Sequence, residues 1–236
     1  MQRDKAGGRL YAARHVTTLS VSGPVAIPRA LVRLCRQSQR QLLGLRLGRV
    51  YGYGIGLSYA LMVALVPAEV AVSGTLWVRS LVTASWVAGL GALSLASDLS
   101  ARDSTEGVTS LARLRGYGEG ALERARVLAG ALRLGTTVLV PGLIVAVALL
   151  LKLRTLSGAA MALSLLVFTV PYAALVGGVL APLARASHHF FPGRGRWLLA
   201  AVVLGPWLLG KGLNAPVPSI PAGFDWLLSQ VVRSVS

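Results

Sequence analysis

Five long apolar segments dominate this 236-residue sequence and exclude most soluble folds. They cover about residues 51–71, 76–97, 136–151, 159–183 and 197–213. A helix needs about 20 apolar residues to cross the hydrocarbon layer of a bilayer. Hydrophobic residues make up 54% of the chain and charged residues only 14%, so a soluble monomer would expose far too much apolar surface. The sequence therefore predicts an all-α, polytopic helical membrane protein with five spans in one membrane domain over residues 28–236.

The uneven distribution of basic residues predicts the orientation of these spans. Residues 1–50 contain ten Lys or Arg and a single acid, Asp4. By the positive-inside rule this end stays in the cytoplasm, and alternation then puts residues 98–135 and 185–196 inside as well. Residues 1–50 contain no secretory signal, and residues 1–27 have the composition of a flexible basic tail. We expect a multi-pass protein of the cell inner (plasma) membrane with a cytoplasmic N-terminus. The net charge of +16 then follows from topology, and no nucleic-acid partner is expected.

Residues 28–46, which precede the first span, predict an interfacial amphipathic helix. The apolar residues that share one side of such a helix are Leu31, Leu34, Cys35, Leu42 and Leu45. The basic residues on the other side include Arg33, Arg36 and Arg40. A helix of this kind binds anionic lipid at the bilayer surface, and it could also contact a partner.

The C-terminal segment, residues 214–236, is amphipathic and interrupted by prolines. It is too short and too polar to match the five spans. We expect an interfacial or re-entrant helix around residues 224–232, or a degenerate sixth span.

Residues 98–135 form the most polar part of the chain and hold five of its eight acidic residues. Asp103 and Glu106 have the spacing of a helix capping box, which predicts a short helix that begins near Ser104. Three glycines between residues 116 and 120 favour a tight reversal. A second helix should begin near Ala121 and continue into the third span. The sequence thus predicts a helical elbow, residues 98–135, on the cytoplasmic side.

Other motifs give weaker indications. Glu69 and Arg79 should both lie at the outer rim, where they either form an ion pair or Arg79 extends to the lipid headgroups. Gly52 and Gly56 permit close helix contact, either within the chain or between two copies.

Neither a catalytic nor a metal site is expected. Residues 205–211 resemble a phosphate-binding loop, but Gly212 follows where Ser or Thr must hold magnesium. His188 and His189 point in different directions on a helix and lack a third ligand nearby, so we expect them in a solvated loop. We predict no metal, no cofactor and no enzymatic activity in this chain.

The run EGVTSLARLRGYGEGALERARVLAGAL, residues 106–132, resembles the cytoplasmic loop of type-2 ATP-binding-cassette exporter permeases. Glu106 and Gly107 match the start of the family's acidic patch, Leu111 matches an apolar position, and Arg126 stands where the family commonly has Lys. The interfacial helix before the first span is also a family feature. The family usually has six spans, whereas this chain shows five clear ones.

The resemblance implies a dimer with a second permease copy or paralogue, mounted on two cytoplasmic ABC ATPase subunits that bind ATP and Mg²⁺. The helix at 104–114 would dock into a groove of the ATPase. The docking candidates are Asp103, Glu106, Gly107, Leu111, Arg113, Arg115 and Arg126. The expected function is the permease subunit of an ATP-driven exporter, and the alternative is a non-transporting membrane scaffold that recruits a cytoplasmic partner. The apolar spans do not identify a cargo.

Overall fold

The computed structural model describes residues 27–105, 107–153, 155–191, 193–214 and 217–235, and within these residues all regular structure is helical. The helices are α1 (Arg29–Ser38), α2 (Leu43–Leu65), α3 (Ala68–Val72), α4 (Thr75–Thr105), α5 (Val108–Leu114), α6 (Glu119–Lys152), α7 (Leu156–Phe190), α8 (Gly195–Gly212) and α9 (Ile220–Val235). A 3₁₀ turn, Gln39–Gln41, joins α1 to α2. The predicted all-α fold is confirmed. The predicted tail lies outside the described residues, apart from its last residue, Ile27.

Three of the described helices are long and apolar enough to cross a membrane: Thr75–Ser97 within α4, and the whole of α6 and α7. They contain the second, third and fourth predicted spans. The first and fifth predicted spans fall mostly on α2 and α8, which are shorter, at 23 and 18 residues. In helices of this length any membrane-length stretch includes basic residues: Arg49 in α2, and Arg196 and Lys211 in α8.

α6 lies at the centre of the bundle and packs against α2, α4 and α7. Glycines let the helices approach closely. A Cβ at Gly177 of α7 would overlap the carbonyl oxygen of Ala131, and one at Gly135 of α6 would lie 3.0 Å from the carbonyl oxygen of Ala173. The backbones of α6 and α7 therefore touch, which a side chain at either position would prevent.

Gly52 and Gly56 of α2 also face α6. A Cβ at Gly52 would lie 3.0 Å from the carbonyl oxygen of Thr137, and one at Gly56 would lie 3.0 Å from the Cα of Pro141. The sequence left open whether these glycines permit contact within the chain or between two copies. The structure shows contact within the chain.

The first predicted span, residues 51–71, is interrupted before its end. α2 ends at Leu65 because Pro67 cannot continue the helical hydrogen-bond pattern, and the short α3 follows as a separate element. Lys152, at the C-terminus of α6, donates from Nζ to the carbonyl oxygens of Val63 (2.7 Å), Ala64 (3.1 Å) and Val66. One lysine thus satisfies three carbonyls at the end of α2, where the charge also favours the helix dipole.

Replacing Lys152 by methionine should therefore lower the free energy of unfolding by about 1–2 kcal/mol, because the carbonyls at the end of α2 lose their donor. Thermal unfolding in detergent measures this loss. Lys211→Met is the matched control, since Lys211 is exposed near the end of α8. Equal losses in the two variants would contradict the capping role of Lys152.

Of the two arrangements expected for Glu69 and Arg79, the ion pair does not form, because both residues are exposed and no salt bridge joins these two described residues. One further sequence prediction is wrong. The predicted loop at 185–196 is mostly helical, because α7 continues through it to Phe190. His188 is consequently buried, with its Nδ1 3.1 Å from the carbonyl oxygen of Ala96.

The C-terminal segment forms α9, somewhat longer than the predicted helix at 224–232. Phe224 and Leu228 are buried against the bundle, and the ring of Phe224 makes an edge contact with Tyr172 at 6.0 Å. Trp226 is exposed. α9 is thus an amphipathic helix with one side packed on α4, α7 and α8.

Candidate docking surface at the polar end of the bundle

One end of the bundle is rich in charge, and we call it the polar end. It comprises α1, α5, residues 119–135 of α6 and the last two turns of α7. At 34 residues, α6 is about 51 Å long, whereas the hydrocarbon layer of a bilayer is about 30 Å thick. The part of α6 that exceeds the thickness of the hydrocarbon layer is its charged first half. That half carries Glu119, Glu123, Arg124, Arg126 and Arg133.

The elbow has a different start from the one predicted. Asp103 and Ser104 belong to the last turn of α4, which runs to Thr105, so the expected capping box does not begin a helix there. Gly107 precedes α5 with φ of 67°, a left-handed conformation that glycine adopts without strain. α5 therefore begins at Val108, and it ends at Leu114, before Gly116 as expected. α6 begins at Glu119, two residues earlier than predicted, and continues unbroken to Lys152 as expected.

The inner side of α5 is fixed to two other helices. Val108 and Ala112 are buried in a small apolar cluster of their own. The cluster also includes Leu31 and Cys35 of α1 and Leu122, Ala125 and Ala129 of α6. α5 is thus held against the start of α6, and α1 packs against both.

This cluster also corrects the prediction for residues 28–46. They do not form one helix, because α1 ends at Ser38 and Leu42 has an extended backbone. The apolar side of α1 is covered by α5 and α6, so Leu31 and Cys35 contact protein rather than lipid. The basic side matches the prediction, since Arg33, Arg36 and Arg40 are all exposed.

The outer side of α5 is exposed and apolar, with a basic border. Leu111 is 43% exposed and Leu114 is 84% exposed. Arg113 forms an exposed salt bridge to Glu119 at 2.6 Å, and Arg115 is exposed at the end of the helix. We call Leu111, Arg113, Leu114 and Arg115 the docking surface.

A partly buried ion network lies behind the docking surface. Arg185 of α7 donates two hydrogen bonds of 2.5 Å, one to each carboxylate oxygen of Glu123. Arg126 donates to Glu123 at 2.5 Å and to the hydroxyl of Thr109 in α5 at 3.2 Å. Burial alone would raise the pKa of Glu123, but Arg185, and then Arg126, hold that pKa below its usual value. The network therefore ties α5, α6 and α7 together with Glu123 ionised.

The structure brings together only some of the predicted docking residues. Leu111, Arg113 and Arg115 share the docking surface, and Gly107 forms the turn before it. Arg126 is buried and belongs to the ion network instead. Glu106 and the side chain of Asp103 lie outside what the structure describes.

Two residues of this region were missed by the sequence analysis. Leu114 lies one turn after Leu111, and this spacing could have indicated a shared exposed side. Arg185 is 62 residues from Glu123, so no local pattern could have revealed the pair.

The described residues contain no group of three or more His, Cys, Asp or Glu side chains that could hold a metal ion. No protein-family model matches this sequence, and no curated protein and no solved structure matches it either.

Proposed function

We propose that this protein is the membrane-spanning permease subunit of an ATP-driven exporter and that α5 receives force from a separate ATPase subunit. The observation that carries the proposal is the two-sided packing of α5. Its outer side exposes Leu111 and Leu114, while its inner side is buried against α1 and α6. The resemblance of residues 106–132 to type-2 exporter permeases supports the same role.

The packing gives a physical route for force. A partner that binds the outer side of α5 and moves it also displaces α6, because Val108 and Ala112 pack α5 against α6. α6 is one continuous helix from Glu119 to Lys152, with Pro141 inside it, so the displacement passes along α6 towards the far end of the bundle. Helices that shift as packed units are a common element of switching proteins.

The chemistry of the docking surface indicates what kind of groove it fits. Two exposed leucines form an apolar centre, and Arg113 and Arg115 lie beside them. Interfaces commonly combine a buried apolar centre with a charged rim. We therefore expect the ATPase groove to have an apolar floor and acidic residues at its edge.

The proposal includes the topology expected from the sequence. α2 and α8 cross the inner membrane together with α4, α6 and α7, and the polar end lies in the cytoplasm, as the positive-inside rule implies. A second permease copy or paralogue completes the transport path. ATP and Mg²⁺ bind to the ATPase subunits.

The alternative is a membrane scaffold that recruits a cytoplasmic protein through the same docking surface. A scaffold needs the exposed leucines but not the rigid connection of α5 to α6. The two functions therefore differ in whether binding is linked to ATP hydrolysis and transport.

The test replaces Leu111 and Leu114 together by aspartate and measures binding to a co-expressed ATPase subunit of the exporter type. We expect affinity to fall at least about tenfold, because charge would enter the apolar centre of the interface. Transport-linked ATP hydrolysis should fall with it. Leu128→Asp is the control, since Leu128 is an exposed leucine of the polar end that lies on α6 and outside the docking surface.

Each alternative outcome has a definite meaning. Unchanged binding and hydrolysis in the leucine variant, with the fold intact, would contradict the docking role of α5. Binding that depends on the leucines but never alters ATP hydrolysis would favour the scaffold.

A further inference from the structure

A cluster of arginines at and beside the polar end has no acidic partner among the described residues. Arg133 of α6 is only 5% exposed. Its Nη2 donates to the carbonyl oxygen of Arg36, in the last turn of α1. Its Nε is buried and has no hydrogen-bond partner among the described residues. A buried guanidinium that keeps an unused donor is costly unless an anion can approach it.

Three more arginines lie near enough to Arg133 for their positive charges to act on it. The positive charges of Arg49, Arg36 and Arg40 all act unfavourably on the charge of Arg133. Arg36 lies on α1, Arg40 in the 3₁₀ turn and Arg49 on α2, and all three side chains are exposed. The start of α2 packs close to Arg133. Gly48 of α2 faces Thr137, which follows Arg133 by one turn in α6. We call Arg36, Arg40, Arg49 and Arg133 the arginine cluster.

The described acids of the polar end are engaged elsewhere. Glu119 pairs with Arg113, and Glu123 is shared by Arg126 and Arg185. No described salt bridge involves a member of the arginine cluster. Four guanidiniums from four elements thus lie in one region without a counter-charge from the described part of the chain.

We propose that the arginine cluster binds the phosphate group of an anionic lipid. Guanidinium groups match phosphate oxygens in geometry and charge. A lipid fits this position better than a free phosphate, because exposed apolar side chains continue directly along α2. These side chains are Leu47, Val50 and Tyr51, which could contact the acyl chains below the headgroup.

The proposal concerns a site separate from the docking surface and does not depend on the ATPase. Its structural consequence is local. A phosphate held by all four arginines would connect α1 and α2 to α6 and remove the repulsion among them.

The test compares two triple variants of the purified full-length chain in detergent. The cluster variant carries Arg36→Gln, Arg40→Gln and Arg49→Gln. The control variant carries Arg29→Gln, Arg33→Gln and Arg46→Gln, which removes the same charge from the same part of the chain. The cluster variant keeps the bond from Arg133 to the main-chain oxygen of Arg36, so it should fold.

Phosphatidylglycerol should raise the Tm of the wild-type chain by about 5 °C, and phosphatidylcholine should not. The control variant should keep most of this rise, and the cluster variant should lose it. Equal losses in the two variants would show diffuse attraction to anionic lipid and would overturn the proposal, as would a full rise in the cluster variant. The last comparison adds glycerol phosphate instead of a lipid. If this soluble headgroup raises the Tm of the wild-type chain as much as phosphatidylglycerol does, the assignment to a lipid is overturned. If the cluster variant fails to fold, Arg49→Gln against Arg46→Gln provides the same comparison.

Discussion

Replacing Gly177 by alanine should lower the free energy of unfolding by about 3 kcal/mol, the largest loss that we expect from a single methyl group in this protein. The new Cβ would overlap the carbonyl oxygen of Ala131 and lie 3.0 Å from the backbone nitrogen of Gly135. If the neighbouring atoms belonged to a side chain, that side chain could rotate away. They are instead main-chain atoms of α6, which cannot. The two helices would have to separate, which would open the centre of the bundle.

Gly178→Ala is the matched control, because it lies in the same helix, one residue further on. A Cβ at Gly178 would meet nothing within 4 Å. This variant should be stabilised slightly, by up to about 1 kcal/mol, since alanine favours helix more than glycine. Thermal unfolding followed by tryptophan fluorescence measures both effects. Similar stabilities of the two variants would mean that α6 and α7 do not touch at Gly177.

The second large effect is expected from Glu123→Gln, which should cost about 1–2 kcal/mol, because the side chain of Glu123 is 37% exposed and solvent screens part of its interactions. The amide would remove the charge that balances Arg185, whose side chain is only 19% exposed. Glu119→Gln is the control one turn earlier in α6, where the salt bridge to Arg113 is solvent-exposed. Exposed pairs contribute little, so the control should change stability by less than about 0.5 kcal/mol.

Lowering the pH gives an independent check of the Glu123 network. In the folded chain, Arg185 and Arg126 hold the pKa of Glu123 below its ordinary value of 4.5. Its contribution to stability is therefore present above pH 4.5 and is lost as the pH falls through the folded pKa. The stability difference between wild type and Glu123→Gln should shrink over that range. A difference that stays constant with pH would show that shape rather than charge makes Glu123 important.

Hydropathy predicted the apolar helices well but not their ends. α4, α6 and α7 are long and apolar, so their identity as helices and their place in the chain followed from composition. Both α4 and α7 continue past their predicted ends into polar sequence, to Thr105 and Phe190. Composition alone does not show where a helix stops, because charged residues are also good helix formers.

The elbow shows the limit of local motifs. The spacing of Asp103 and Glu106 indicated a helix start, whereas the described helix α4 passes through Asp103 and α5 begins after Gly107. A glycine that ends one helix is as common a signal as a capping box, and the two patterns overlap here. The burial of Leu31 against α5 and the pairing of Glu123 with Arg185 depend on residues far apart in sequence, so only the fold reveals them.

The contact between Gly135 and Ala173 lies halfway along α6, with about 25 Å of helix on either side. If α6, which has Pro141 inside it, tilted as one body about this contact, its two ends would move by similar amounts in opposite directions. A tilt of about 10° would shift each tip by about 4 Å by simple geometry on a helix of this length. A pull on α5 in one direction would thus swing Lys152, together with the end of α2 that it caps, the opposite way.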